Sequence, residues 1–278
     1  MKRREFLTTT MAASTLAGLG TAGLTVSAAE RTGAGPGDRE YYELRIYRLK
    51  SGASHDRLDA YLGKAVIPGL NRLGSKPVGV FVQQERPGAP DPTEARDAAA
   101  VWVLIPHASI TSFATVGARL LADPEFQSAG AEYLQSVKAN PAFERIDSWL
   151  MLAFAGLPKV ELPAYCRENK ARMFEVRTYE SYSELKALKK VEMFNSGEID
   201  TMREVGLGPI FFGQALIGSG LPHLTYMLSA ESPDAHKTHW DGFKGHPTWT
   251  KLKNDPQYAD TVSKIVNRFL VPTAYSQI

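Results

Sequence analysis

The residues with most chemical potential in this chain occur twice. Glu43-Leu44-Arg45-Ile46-Tyr47 returns as Glu175-Val176-Arg177-Thr178-Tyr179. Each run alternates an acid, a base and a phenol with apolar or small residues. Side chains alternate across a strand, so Glu43, Arg45 and Tyr47 share one face and Tyr42, Leu44 and Ile46 the other. In the second copy Glu175, Arg177 and Tyr179 oppose Phe174 and Val176. The apolar faces are expected to meet helices, and the polar triplets to line the opposite side, where two sheets would meet. A glutamate buried there needs its arginine, because an unpaired buried charge is costly. The triplets then form a structural ion-pair network, or a pocket where Arg45 or Arg177 holds an anion and a tyrosine donates a hydrogen bond. The structural reading carries more weight, since such networks often imitate sites.

Other candidates are weaker. His236 and His239 stand at i, i+3 on an expected helix, a spacing that suits a metal, and His246 follows. No Asp, Glu or Cys completes a metal pattern, so these read as surface or capping residues and no metal site is assigned. His107 and His223 read as occupying comparable ends of the two copies, where either could face a cleft. Cys166 falls in a linker with only Arg167 beside it, too little to activate a thiolate. Trp102, Trp149, Trp240 and Trp249 serve as core or groove fillers as readily as ligand-stacking groups. Gly206-Leu207-Gly208 and Gly218-Ser219-Gly220 lack the strand-to-helix setting of a phosphate loop. No catalytic set and no cofactor emerge.

The triplets must be positioned by a repeated set of elements. In the first copy, Leu58, Tyr61, Leu62, Ala65, Val66, Leu70 and Leu73 give a helical period that Pro68 should kink or break. Val78–Gln84 and Ala98–Ile105 read as strands around a Pro- and Gly-rich loop, Arg86–Asp97. A helix capped by Ser109 follows, then Asp123-Pro124-Glu125-Phe126, then a strand from Arg145 to Ala153. The second copy repeats the order: strand Met173–Tyr179, helix Ser183–Val205, strands Ile210–Ile217 and Leu224–Ser229, helix Pro233–Phe243, and strand Lys264–Val271. The class is therefore α+β, with two tandem ferredoxin-like βαββαβ repeats, residues 41–155 and 172–278, joined by a linker at 156–171. Helices cover one face of such a sheet. The other face is expected to meet its twin, face to face or through edges closing a barrel.

The first residues read as a removable leader. Arg3-Arg4 precede an uncharged stretch from Thr8 to Val26, and Val26-Ser27-Ala28 offers a small-residue exit. Residues 1–28 thus suit a twin-arginine signal peptide, with export to the periplasm or another extracytoplasmic space and no stable anchor after cleavage. Residues 29–40 read as a flexible mature start. Removal leaves roughly 250 residues, room for two domains of about 100–120. The formal charge of +2 sits in the leader, so the mature body is near neutral. Such a body lacks the basic footprint of a nucleic-acid binder. A lone cysteine allows no intrachain disulfide.

With these motifs in place the chain resembles the NIPSNAP family. Glu-Leu-Arg-Ile-Tyr and Glu-Val-Arg-Thr-Tyr resemble that family's opening strand. Asp123-Pro124-Glu125-Phe126 and His246-Pro247-Thr248-Trp249 resemble its helix-ending motif, and Phe269 to Ile278 resembles the tail of exported bacterial members. The resemblance implies two halves pairing as a dimeric α/β-barrel within one chain, and supplies no catalytic residues. Three roles stay open: a small-molecule binder, in the barrel or under a helix; an enzyme of the monooxygenase-like or haem-dependent barrel type, by analogy of fold alone; and a non-catalytic assembly module that self-associates into a homo-oligomer.

Overall fold

The structure is a computed structural model describing residues 35–49, 55–84 and 100–278. The leader at 1–28, residues 29–34 and the loop Arg86–Asp97 lie outside the described residues. The first half runs β1 (Tyr41–Arg48), α1 (Asp56–Tyr61), a π-helical turn (Leu62–Val66), α2 (Ile67–Arg72), β2 (Gly79–Gln84), β3 (Val101–His107), α3 (Ile110–Leu121), α4 (Pro124–Ala129), α5 (Ala131–Leu134) and β4 (Arg145–Ala153). A short helix α6 (Ala164–Arg167) follows. The second half runs β5 (Met173–Glu180), α7 (Glu184–Met193), a π-helical turn (Phe194–Glu198), α8 (Ile199–Glu204), β6 (Gly208–Ile217), β7 (His223–Ala230), α9 (Pro233–Gly245), α10 (Pro247–Lys253) and β8 (Lys264–Pro272).

Local chemistry explains the helix starts. Ser109 and Ser112 form a reciprocal capping box at α3, and Ser183 and Ser232 cap α7 and α9. Pro68, expected to kink or break its helix, does not end it but coincides with an irregularity in its winding. It sits in the first turn of α2, directly after the π turn, where a missing N–H is tolerated. The second half carries its π turn at the matching place, with Gly197 at φ 125° in it.

The strands close into a barrel in the order β1-β3-β2-β8-β5-β7-β6-β4, antiparallel throughout, with β4 returning to β1. Each half supplies one block with the same internal order, β4-β1-β3-β2 and β8-β5-β7-β6. The edges β2 and β4 of one block pair with β8 and β6 of the other, so no strand edge stays open.

Closure buries both faces of every block, and it reverses the expected faces. Tyr42, Leu44 and Ile46 point into the barrel, in one apolar cluster with Phe81, Trp102, Phe174, Val176, Phe211, Met227 and Leu270. Tyr42 meets Phe211 edge-on at 5.2 Å and Phe81 meets Phe174 at 4.9 Å, joining the halves. Each fully buried ring stabilises the closed form by about 1.5–3 kcal/mol. Glu43, Arg45 and Tyr47 instead lie under the helices of the first half, and Glu175, Arg177 and Tyr179 under those of the second. The physical reason is dielectric. A small, dry interior offers a charge no compensating donors, whereas the sheet–helix layer offers helix side chains and opens to water at its margins.

The linker also departs from its sequence reading. Cys166 is 5% exposed and belongs to the barrel's apolar cluster, with Val160, Leu162 and Tyr165 packed against it. The Tyr165 hydroxyl bonds Ser229 Oγ at 2.8 Å. Together with the buried Ile278, the linker plugs the barrel end where β5 begins and β7 finishes, so Cys166 is a core residue rather than an incidental one.

Candidate functional site

Glu175 is the centre of the polar layer in the second half. It is 1% exposed and accepts four hydrogen bonds: from Arg177 Nη1 (2.6 Å), Asn267 Nδ2 (3.0 Å), His236 Nε2 (2.8 Å) and Trp240 Nε1 (2.9 Å). Strand β5 supplies Glu175 and Arg177, the neighbouring β8 supplies Asn267, and α9 supplies His236 and Trp240 one turn apart on its inner face. Burial pushes the Glu175 carboxyl upward, but His236, Arg177 and Asn267 outweigh it and hold the pKa at about 2.

Arg177 is pinned on all sides. Its Nε and Nη2 each donate to the Tyr179 hydroxyl at 3.3 Å, and its guanidinium lies 4.7 Å from the Trp240 ring centre. Tyr226 donates to the same Tyr179 oxygen at 2.9 Å, which extends the network inward. Burial works against the Arg177 charge, but Tyr226, Tyr179 and Glu175 more than offset it and raise its pKa. His236 differs from the other members. Its Nε2 lies 2.8 Å from the Glu175 carboxylate, which assigns the proton to that nitrogen, and 3.0 Å from Trp240 Nε1, whereas Nδ1 bonds nothing among the described residues and is not a buried orphan. His236 lines a cavity of about 310 Å³ bounded by Glu175, Arg177, Trp240, Asn267 and Phe269, with Lys237, Lys244 and the Asp241 they both bond at its rim.

The first half repeats the ion pair but closes the site. Arg45 bonds Glu43 through Nε (2.5 Å) and Nη2 (3.0 Å), and Ser148 Oγ, in Asn267's register, donates at 3.0 Å. His107 Nε2 lies 3.5 Å from Glu43 and is completely buried. Burial raises the Glu43 pKa, and His107, Arg45 and Ser148 bring it down to about 2. Counting from the capping serines, Phe113 occupies the place of His236 and Gly117 that of Trp240. Phe113 packs edge-on against His107 at 5.5 Å.

A second asymmetry lies one layer out. Lys190 and Glu198 form a buried pair at 2.9 Å, with the ammonium 4.7 Å from the Phe194 ring centre and 5.4 Å from that of Trp249. Counting from the π turns, the first half has Leu58 and Val66 there, both buried and apolar. Burial raises the Glu198 pKa, with Lys190 opposing.

The polar triplets are thus brought together within each half, not across the barrel. The metal reading of His236 and His239 stays unused: no group of three His, Cys, Asp or Glu side chains able to hold a metal occurs among the described residues. His236 is not the surface residue its spacing suggested, and His239 packs on Gly206. His246 does cap α10, accepting from the Thr248 N–H at 3.3 Å. His107 and His223 lie at opposite ends of the barrel rather than at comparable ends, His107 facing Tyr41 and His223 facing Glu180 in the sheet register. The signal for His236 was the His–Trp pair at i, i+4, with Phe and Gly at the matching places of the first copy.

Two solved structures share this fold over most of its length. An inferred monooxygenase from Lactobacillus acidophilus NCFM is 7% identical, with a TM-score of 0.52 over 84% of this chain and 94% of that one. One from Fusobacterium nucleatum is 8% identical, with a TM-score of 0.50 over 84% and 92%. A NIPSNAP-like domain protein from Burkholderia xenovorans is 19% identical over 38% of this chain and 88% of its own, with a TM-score of 0.34. No curated protein matches the sequence. The family model that does match is NIPSNAP, and it covers residues 174–277, the half that carries Glu175, Arg177, His236 and Trp240.

Proposed function

We propose that this chain is an exported small-molecule-binding protein, built as two ferredoxin-like halves of a dimeric α/β-barrel, with its site under α9. The ligand class is a small hydroxy-aromatic compound. Trp240 and Phe269 offer ring contacts, and Arg177 favours an oxyanion, while Lys237 and Lys244 at the rim are bonded to Asp241. His236 Nδ1 accepts the hydroxyl proton while Glu175 fixes the tautomer and steadies the imidazolium. One observation carries this reading: the open imidazole held by a buried carboxylate occurs in one half only. The Glu–Arg pair itself recurs in both halves and is read as structural. His236 and Trp240 are what the second half adds.

The same dyad is the acid–base part of an enzyme, which keeps the enzymatic reading as the alternative. The monooxygenase description belongs to the two neighbours and reaches this chain only as likeness of fold.

The test uses 4-nitrophenol, whose colour reports its ionisation. Saturable binding with a shift toward the phenolate spectrum is expected for the native chain. His236→Phe, the first half's residue, should abolish the shift while the thermal midpoint stays within a few degrees. No saturable shift in the native chain would overturn the reading. So would a midpoint collapse in His236→Phe as large as that of Glu175→Ala, which would make the histidine structural.

A further inference from the structure

The seam between β2 and β8 continues past the end of β8. Beyond Pro272 the chain turns, with the Ser276 N–H donating to the Thr273 carbonyl at 3.1 Å, and runs along the residues that lead into β2. The Thr273 N–H donates to the Val80 carbonyl at 2.9 Å and the Gln277 N–H to the Val78 carbonyl at 3.0 Å. In return the Val80 N–H donates to Ser276 Oγ at 3.0 Å and the Val78 N–H to Gln277 Oε1 at 2.9 Å. Serine and glutamine side chains thus stand in for the carbonyls of a further strand, and this edge of the first half stays paired.

The same six residues, 273–278, grip both sides of the sheet. Tyr275 packs in the helix layer of the first half. Its ring covers Gly63 of the π turn, where a Cβ would stand 3.2 Å from Tyr275 Cγ, and its hydroxyl donates to Asp59 Oδ1 at 2.5 Å. Ile278 is fully buried in the apolar cluster inside the barrel, the cluster that holds Cys166, and Arg172 of the second half donates to its carbonyl at 3.1 Å. The first half sends its own exit across at the matching place. After β4 the Phe154 N–H donates to the Phe212 carbonyl at 3.0 Å, and the Gly156 N–H to Oδ1 of Asn195, the π-turn counterpart of Gly63, at 2.8 Å. The two crossings differ in one respect. The linker is tied at both ends, by β4 and β5, whereas no described strand follows the tail.

That difference decides which crossing can open. Conformational entropy opposes holding all six tail residues in place. Against it stand two buried side chains and a few hydrogen bonds, part of which water replaces on release. Each barrel strand, by contrast, is paired along both edges. The tail therefore costs less to release than any strand and belongs to the low-stability end of the molecule.

We propose that residues 273–278 form a latch that leaves the first half as one unit, ahead of any strand, and uncovers the apolar barrel end where Cys166 lies. Tyr275 and Ile278 then open together, although they grip opposite sides of the sheet. The latch shares no residue with the groove under α9.

Cys166 is the chain's one cysteine and is buried, so its reaction with dithiobis(nitrobenzoate) times the opening in the full chain. In the native protein labelling should be slow and barely quickened by low urea, because a local opening exposes little surface. Ile278→Ala and Tyr275→Ala should each speed it about ten-fold or more. Tyr275 is the decisive position, since it packs in a different cluster from Cys166 and is linked to it through the tail. Val116→Ala, in the cluster of Tyr275 but off the tail, should leave the rate in water unchanged. Labelling that tracks global unfolding at every urea concentration would overturn the proposal. So would Val116→Ala speeding the reaction as much as Tyr275→Ala, or Tyr275→Ala reacting at the native rate.

Discussion

The Lys190–Glu198 pair offers a controlled experiment on buried charge, because the first half holds the apolar solution to the same packing problem. Changing Lys190 to leucine, its first-half counterpart, leaves the buried Glu198 without its ion partner. Breaking a buried pair in this way costs about 3–5 kcal/mol. For a chain of this size each kcal/mol moves the midpoint by about 2–4 °C, so Lys190→Leu should melt roughly 6–20 °C lower. Glu198→Val alone strands the ammonium and should cost a similar amount. The double variant Lys190→Leu/Glu198→Val recreates the Leu58 and Val66 arrangement. It should lie within ~1 kcal/mol of the native chain or exceed it by up to about 4 kcal/mol. Urea unfolding of all four proteins closes the cycle. The proton provides a further check. With Lys190 gone, the folded-state pKa of Glu198 stands above its unfolded value, so the variant regains stability as pH falls and loses it as pH rises. That window lies above pH 4.5, whereas Glu43 and Glu175, whose pKa values are lowered, change stability only below it. A double variant as damaged as the singles would refute the reasoning, since the pair would then owe its stability to something the apolar residues cannot replace.

Two further outcomes follow from the geometry. Glu43 and Glu175 have pKa values depressed from 4.5 to about 2, so their contribution is complete above pH 4.5 and is lost as pH falls toward 2. Each is worth about 3 kcal/mol, so urea stability should fall steeply in that interval, and Glu175→Gln should flatten the slope; an unchanged slope would count against the carboxylate. Gly218 has φ 145°, and a Cβ there would stand 2.4 Å from Trp149 Cδ1. Gly218→Ala should therefore cost about 1–3 kcal/mol and change Trp149 fluorescence, whereas Gly117→Ala, in open space on α3, should stabilise by about 0.5–1 kcal/mol; equal effects in thermal melts would contradict the difference.

The strand positions and the cap at Ser109 were readable because they depend on local chemistry. Period 2 marks a strand wherever it lies, and a serine before a helical run caps it in any fold. The orientation of the triplets was not readable. Alternation shows that Glu43, Arg45 and Tyr47 share a face, but closure buries both faces, so polarity does not say which one the helices cover. The linker was misread for a related reason. Val160, Leu162, Tyr165 and Cys166 have no period, because they fill the end of a barrel instead of the face of a regular element. The site histidines were hidden by distance along the chain. His236 reaches Glu175 only after β8, β5 and α9 have assembled, and nothing near either residue announces the other.

Comparing the halves separates what the fold needs from what it carries. Both keep a buried glutamate bonded to the arginine two residues on and to a polar residue of the last strand, Ser148 or Asn267. A feature present in both halves answers a demand common to both, namely holding the opening strand under its helices. The first half meets the remaining demand of its carboxylate with a histidine sealed at the end of β3, then finishes the layer with Phe113, Leu58 and Val66. The second half meets it from α9, through a histidine with one nitrogen left over, and places charge where the first has leucine and valine. Stability alone gives no reason for that choice, since the first half shows the same backbone closing without it. The proposed ligand would give a reason, since the groove lined by His236 and Trp240 stands where the first half has Phe113 and Gly117.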